Sequence, residues 1–208
     1  MNIPLFKPKF RTEECIGLMR EALEIGWTGQ GYFSVDFEKE WNKYIGVSHS
    51  IMLNSASAAL HLAIETLKIQ FDWDDKSEII SSPLTFISTN HAILWSGLVP
   101  KFADVDESLC LSPTKVLEAI KPETKAVIYV AIGGNASGLA EIEQICKERN
   151  LKLIVDAAHA AGSRINGLHL GIGADAICYS FQAVKNLPTS DSGICLLYTS
   201  DAADDTPC

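Results

Sequence analysis

Residues 152–159 read KLIVDAAH. Leu153, Ile154 and Val155 form a continuous apolar run, which predicts a strand buried on both faces, and the run ends in a carboxylate, Asp156. Lys125–Val130 (KAVIYV) has the same character, and between the two lies Leu139–Arg149, whose apolar residues repeat at helical spacing. Strand, helix and strand of these lengths predict a right-handed βαβ unit in a parallel sheet, and so an α/β fold with ligands at the carboxyl ends of its strands. Asp156 stands at such an end. An aspartate there either caps a turn or pairs with a cationic ring nitrogen.

Downstream, Ala176–Phe181 reads as the next buried strand, and it delivers the segment CYSFQAVKNLPTSDSG, residues 178–193. Pro188 and Gly193 keep the residues after Phe181 from continuing as helix, which leaves Lys185 at the mouth of a core. Desolvation there lowers a lysine pKa, and a partly neutral amine attacks carbonyls to form imines. An isolated lysine is otherwise a solvated surface group.

Upstream, Thr12–Ile25 is expected as an amphipathic helix with Thr12 as its N-cap and Gly26 at its end. Phe33, Phe37, Trp41 and Tyr44 form an aromatic stripe at helical spacing, read as core. His49–Leu53 is a short strand, followed at once by Asn54-Ser55-Ala56-Ser57-Ala58-Ala59 and a helical run over 60–67. Small residues at a strand-to-helix turn leave backbone N–H groups open to an anion; the other reading is capping by Ser55 or Ser57. Glu78–Ser81 starts a strand, Ile87–Ser96 a helix and Val99–Ala103 a further strand. Phe86 therefore stands at a strand end, as core or as a stacking surface for a flat ring. Ser112-Pro113 opens a helix to Ile120.

With 208 residues, 47% of them hydrophobic, the chain can bury the core of one globular α/β domain. Lys and Arg number 17 against 26 Asp and Glu, a net charge of −9 with no basic cluster, which argues against a nucleic-acid or anionic-membrane surface. No apolar run approaches the ~18 residues needed to span a bilayer, and the opening MNIPLFKPKF lacks a leader's apolar core, so a cytoplasmic protein is expected. Six cysteines lie far apart without metal-ligand spacing. They read as reduced core thiols, with no metal site.

A pyridoxal 5'-phosphate site needs an imine-forming lysine, an anion cup, a carboxylate for the pyridine nitrogen, an aromatic against the ring and a donor near the ring oxygen. Lys185, the Ser57-Ala58 helix start, Asp156, Phe86 and His159 occupy suitable settings. Taken together with NSASAALHLAI, SSPLTFISTNHAILWSG, KFADVD, LIVDAAHAAGS and YSFQAVKNLPTSDSG, the chain resembles the DegT/DnrJ/StrS-type sugar aminotransferases from IPLFKP through Gly193. The resemblance implies the large domain of a PLP transferase, a three-layer α/β/α arrangement with a mostly parallel central sheet. It further implies that Lys185 carries the cofactor and acts as the proton-transferring base, that Asp156 pairs with the pyridine nitrogen, that Ser57, the Ala58 amide and Ser180 hold the phosphate, that Phe86 stacks on the ring, and that His159 approaches the ring oxygen. The implied reaction moves an amino group from glutamate to a keto group of a nucleotide-linked sugar, in a homodimer.

After Gly193 the pattern breaks. Ile194-Cys195-Leu196-Leu197 gives way to YTSDAADDTPC, so residues 1–195 are expected to form the cofactor domain, with the small C-terminal domain missing and 196–208 a non-family tail, either an artefact or the polar end of a genuine short variant. The shortened chain motivates a second function, a non-catalytic regulatory or partner subunit that keeps the fold. A third is dehydration on the same scaffold, against which the presence of Lys185 argues.

Overall fold

A computed structural model describes residues 7–197. Its centre is a seven-stranded sheet in the order β1-β9-β8-β5-β4-β2-β3, formed by β1 (Ile51–Leu53), β2 (Glu78–Ser81), β3 (Val99–Phe102), β4 (Thr124–Val130), β5 (Lys152–Asp156), β8 (Ala176–Ser180) and β9 (Gly193–Leu197). The pairs β3–β2, β2–β4, β4–β5 and β5–β8 are parallel, and β9 runs against both of its neighbours. The mostly parallel sheet expected from KLIVD and KAVIYV is thus present, and β4 and β5 are buried along almost their whole length because helices cover both faces.

One face packs α3 (Ala56–Gln70) and α4 (Ile87–Trp95), with Leu60, Ile64, Leu67 and Ile93 meeting Ile79, Ile128 and Ile154. The other packs α2 (Tyr32–Ile45), α5 (Pro113–Ala119) and α6 (Leu139–Arg149) over Val127, Tyr129, Val155 and Ile177. Alternate residues of one strand serve opposite cores. The aromatic stripe of α2 is only partly core: Trp41 is 4% exposed and meets Phe181 and Tyr179 edge-on at 4.9 and 5.1 Å, whereas Tyr44 is 50% exposed.

Several local expectations change. Arg11, not Thr12, is the N-cap of α1 (Thr12–Ile25), and no side chain caps that end. None of the residues of α1 is buried; Ile16, Met19 and Leu23 are 43%, 57% and 68% exposed, so its amphipathic pattern meets no partner among the described residues. Of the cysteines, Cys110, Cys146, Cys178 and Cys195 are buried free thiols, but Cys15 is exposed on α1. A hairpin of two-residue strands, β6 (Arg164–Ile165) and β7 (Leu168–His169), was not expected. Its signal is the dipeptide Asn166-Gly167, both residues at positive φ (51° and 84°), as a tight hairpin turn requires. The boundary expected between 195 and 196 falls inside β9; the tail beyond Leu197 and the start of the IPLFKP segment lie outside the described residues.

Candidate active site

The strand register fixes the site. Val130, Asp156 and Cys178 are cross-strand partners on β4, β5 and β8, and Leu53, Gly193 and Ser180 pair across β1, β9 and β8. All lie along one edge, the carboxyl end of the parallel strands, where each chain turn can present a side chain to a ligand. A cavity of about 520 Å³ opens there, lined by Ser57, Phe86, Asp156, His159, Ser180 and Lys185, with Thr85, Gln182 and Asp191.

The N-terminus of α3 forms one wall. Ser55 is in extended conformation at the cap, and its Oγ accepts the Ala58 amide at 3.2 Å. Capping by Ser55, one of two readings of this turn, is therefore realised, and the Ala58 amide is engaged inside the protein, outside the cavity lining. The Ser57 hydroxyl and amide, at the same helix end, have no partner among the described residues and line the cavity, where the orphan amides and dipole of a helix N-terminus favour negative charge. Gly193 makes this approach possible. A Cβ at that position would stand 2.4 Å from the backbone of Ser55 and Ala56. Ser180 is buried at the end of β8, its Oγ accepting the Gln182 amide at 3.4 Å.

Asp156 is 5% exposed. Its Oδ1 accepts the Ala158 amide at 3.1 Å, and its Oδ2 accepts the hydroxyl of Thr89 at 2.7 Å. Burial pushes its carboxyl above the usual range; the Thr89 and Ala158 hydrogen bonds, then His159 and Lys185, oppose that push. Lys185 sits in the bend after β8, half-buried, and desolvation holds its ammonium below the ordinary lysine value against the opposing pull of Asp156. His159 stands at the rim. Its Nδ1 accepts the Gly133 amide at 3.3 Å from the turn Ile132–Gly134, which assigns the proton of the neutral ring to Nε2. Desolvation and the Lys185 charge both lower its pKa and favour that neutral donor form. Phe86, 71% exposed, lies at the mouth in extended conformation just before α4.

The fold thus brings Ser57, Phe86, Asp156, His159, Ser180 and Lys185 to one cavity and places Ala58 behind it. Sequence reasoning missed Thr85 and Thr89. Their only sequence signal is an i, i+4 pair of threonines at the start of a helix that begins next to the sheet edge.

These residues fit pyridoxal phosphate. A buried carboxylate still lines the cavity, an unpartnered serine amide and hydroxyl open a helix at one side, and a lysine of lowered pKa stands within the same space. Sheet order, single reversed strand and site together define a cofactor domain of the PLP-transferase class. The DegT/DnrJ/EryC1/StrS aminotransferase family model matches residues 10–207, and the chain belongs to that family. The spore coat polysaccharide biosynthesis protein SpsC of Bacillus subtilis is 36% identical over 203 residues, covering 97% of this chain and 51% of that one. Among solved structures, PseC of Helicobacter pylori, an aminotransferase involved in the biosynthesis of pseudoaminic acid, superposes with a TM-score of 0.88 at 27% identity, covering 97% of this chain and 53% of that one. The Streptococcus pneumoniae protein Spr1654, solved in its PLP form, gives 0.87 at 25% identity, over 99% and 55% of the two chains. The chain therefore spans about half the length of the relatives it matches. The expected fold, family and cofactor agree with these findings. No helix among the described residues is long and apolar enough to cross a membrane.

Proposed function

We propose that this chain carries the cofactor site of a PLP-dependent aminotransferase that transfers an amino group from glutamate to a keto group of a nucleotide-linked sugar, in the cytoplasm and as a homodimer. The observation that carries this reading is the convergence of Lys185, Asp156 and the N-terminus of α3 on one cavity at the carboxyl edge of the sheet. In this reading the cofactor domain includes all of β9 through Leu197, two residues beyond the boundary expected from the sequence, because Leu196 is buried and pairs with Ile177 on β8. The names of PseC, an aminotransferase in pseudoaminic acid biosynthesis, and SpsC, a protein of polysaccharide biosynthesis, support a sugar substrate.

Bound pyridoxal phosphate supplies an electron sink that stabilises negative charge developing on a substrate carbon. The chain's residues supply the rest. The Ser57 amide and hydroxyl, with Ser180, would hold the phosphate. Asp156 would keep a proton on the pyridine nitrogen through its charge. Phe86, at the mouth of the cavity, would pack against the ring, and His159, with its proton on Nε2, would donate to the ring oxygen. The lowered pKa of Lys185 supports two tasks for one amine, attack on a carbonyl and proton transfer at the substrate carbon, since both need the neutral form.

Borohydride reduction after incubation with pyridoxal phosphate, followed by peptide mass mapping, tests the site. A phosphopyridoxyl adduct on the peptide containing Lys185, lost in Lys185→Ala, is expected. A folded chain that yields no adduct at Lys185 overturns the reading. Amino transfer from glutamate to keto-sugar nucleotides, assayed on the protein carrying the full length of its relatives, then decides the reaction. Dehydration without amine transfer would replace it, and adduct formation without turnover would favour a partner subunit.

A further inference from the structure

Asp156 receives one hydrogen bond on each carboxylate oxygen, and the second reaches across 67 residues of sequence. Its donor, Thr89, lies in the first turn of α4, is 0% exposed, and has its Oγ1 2.8 Å from Oγ1 of Thr85. Each hydroxyl holds one proton. An ionised carboxylate can only accept, so the Thr89 proton points to Oδ2 of Asp156 and the Thr85 proton points to Oγ1 of Thr89. The order Thr85 to Thr89 to Asp156 is self-consistent when Asp156 is charged. Protonation of Asp156 on Oδ2 would set that proton against the Thr89 proton and force the Thr89 hydroxyl to reorient inside a packed site.

We propose that Thr89, oriented by Thr85, is the positioning residue of this site: its hydroxyl holds Asp156 as a carboxylate in a fixed plane at the cavity wall. The value of that arrangement to catalysis rests on the cofactor reading above; the geometry does not. Burial disfavours the charge of Asp156, and among the interactions that restore it the Thr89 hydrogen bond comes first. The other titratable groups acting on Asp156 among the described residues are His159 and Lys185, and the Cys178 thiol faces it across the β5–β8 pair.

The test follows the Asp156 carboxyl by carbon NMR on cofactor-free chain labelled at aspartate, the resonance being assigned by its loss in Asp156→Asn. Thr89→Val, which replaces the hydroxyl with a methyl group of similar size, is expected to make Asp156 about tenfold weaker as an acid, since a hydrogen bond to a charged group has that order of effect. Thr89→Ser should restore the wild-type midpoint, and Thr85→Val should move it in the same direction by less. A midpoint unmoved in Thr89→Val overturns the proposal, as does a serine variant that titrates like valine. Should Thr89→Val lose its fold by circular dichroism, Thr85→Val decides, and an unshifted midpoint there overturns the proposal.

Equilibrium binding of pyridoxal phosphate, followed by protein fluorescence, separates the two readings. About tenfold weaker binding by Thr89→Val, recovered in Thr89→Ser, supports both. A wild-type chain that binds no cofactor while the Thr89→Val titration moves overturns the cofactor reading and leaves the role of Thr89 toward Asp156 standing.

Discussion

Asp156 shows how one residue can work against stability and for chemistry. Burial raises its carboxyl pKa, so its charged form is less favoured in the folded state than in the unfolded one. A carboxylate whose folded pKa lies above its unfolded one contributes most below the unfolded value and loses that contribution as pH rises through the folded one. Asparagine is neutral throughout. Cofactor-free Asp156→Asn should therefore melt about 2–4 °C above wild type near pH 7, the difference vanishing in acid, as a thermal melt series across pH will read. The same change should abolish retention of pyridoxal phosphate on gel filtration. Lys185 points the same way: its neutral form is favoured by desolvation, so adduct formation should rise with pH and level off below the pH at which ordinary lysines do.

Elements are tied to the site through close backbone approach. Gly193 opens β9, pairs with Leu53 and Ser180, and lies so close to Ser55 and Ala56 that a methyl group would meet backbone atoms at 2.4 Å. Gly193→Ala should cost about 1–3 kcal/mol in urea unfolding, the range for overpacking, because backbone cannot rotate away as a side chain can. It should also weaken pyridoxal phosphate binding by displacing the start of α3. In contrast α1 buries none of its residues in this chain. Helices of this length draw most of their stability from tertiary packing, so hydrogen exchange should be fast throughout Thr12–Ile25 and slow in β4 and β5. Protection of α1 equal to that of β5 would contradict this.

Across the whole molecule, the strands of the parallel sheet were legible because continuous apolar runs such as LIV and AVIYV suit only positions covered on both faces; Asp156 ends such a run, the Ser55–Ser57 turn follows another, and Lys185 lies just past the end of β8 where Pro188 and Gly193 keep the chain from helix. Their places follow from local pattern, but their roles toward a cofactor came from the family resemblance. Ser55 against Ser57 as cap, and the engagement of the Ala58 amide, depended on rotamers that no residue pattern encodes. The hairpin at Asn166-Gly167 was missed because its strands are too short to show alternation. Tyr44 and Cys15 were read as core from periodicity and apolarity, but exposure depends on whether another element arrives to cover a face.

What the sequence by itself determined is therefore the order of strands and helices and the residue types at strand ends, because both follow from local burial pattern and backbone preference. Only the tertiary structure decided which ends meet. The placement of β9 antiparallel beside β8, which carries Gly193 to the start of α3, and the contact of Thr89 with Asp156 across 67 residues both come from packing two helical layers on one sheet. Such contacts depend on distances between elements, and a linear pattern of residue types holds no such distance.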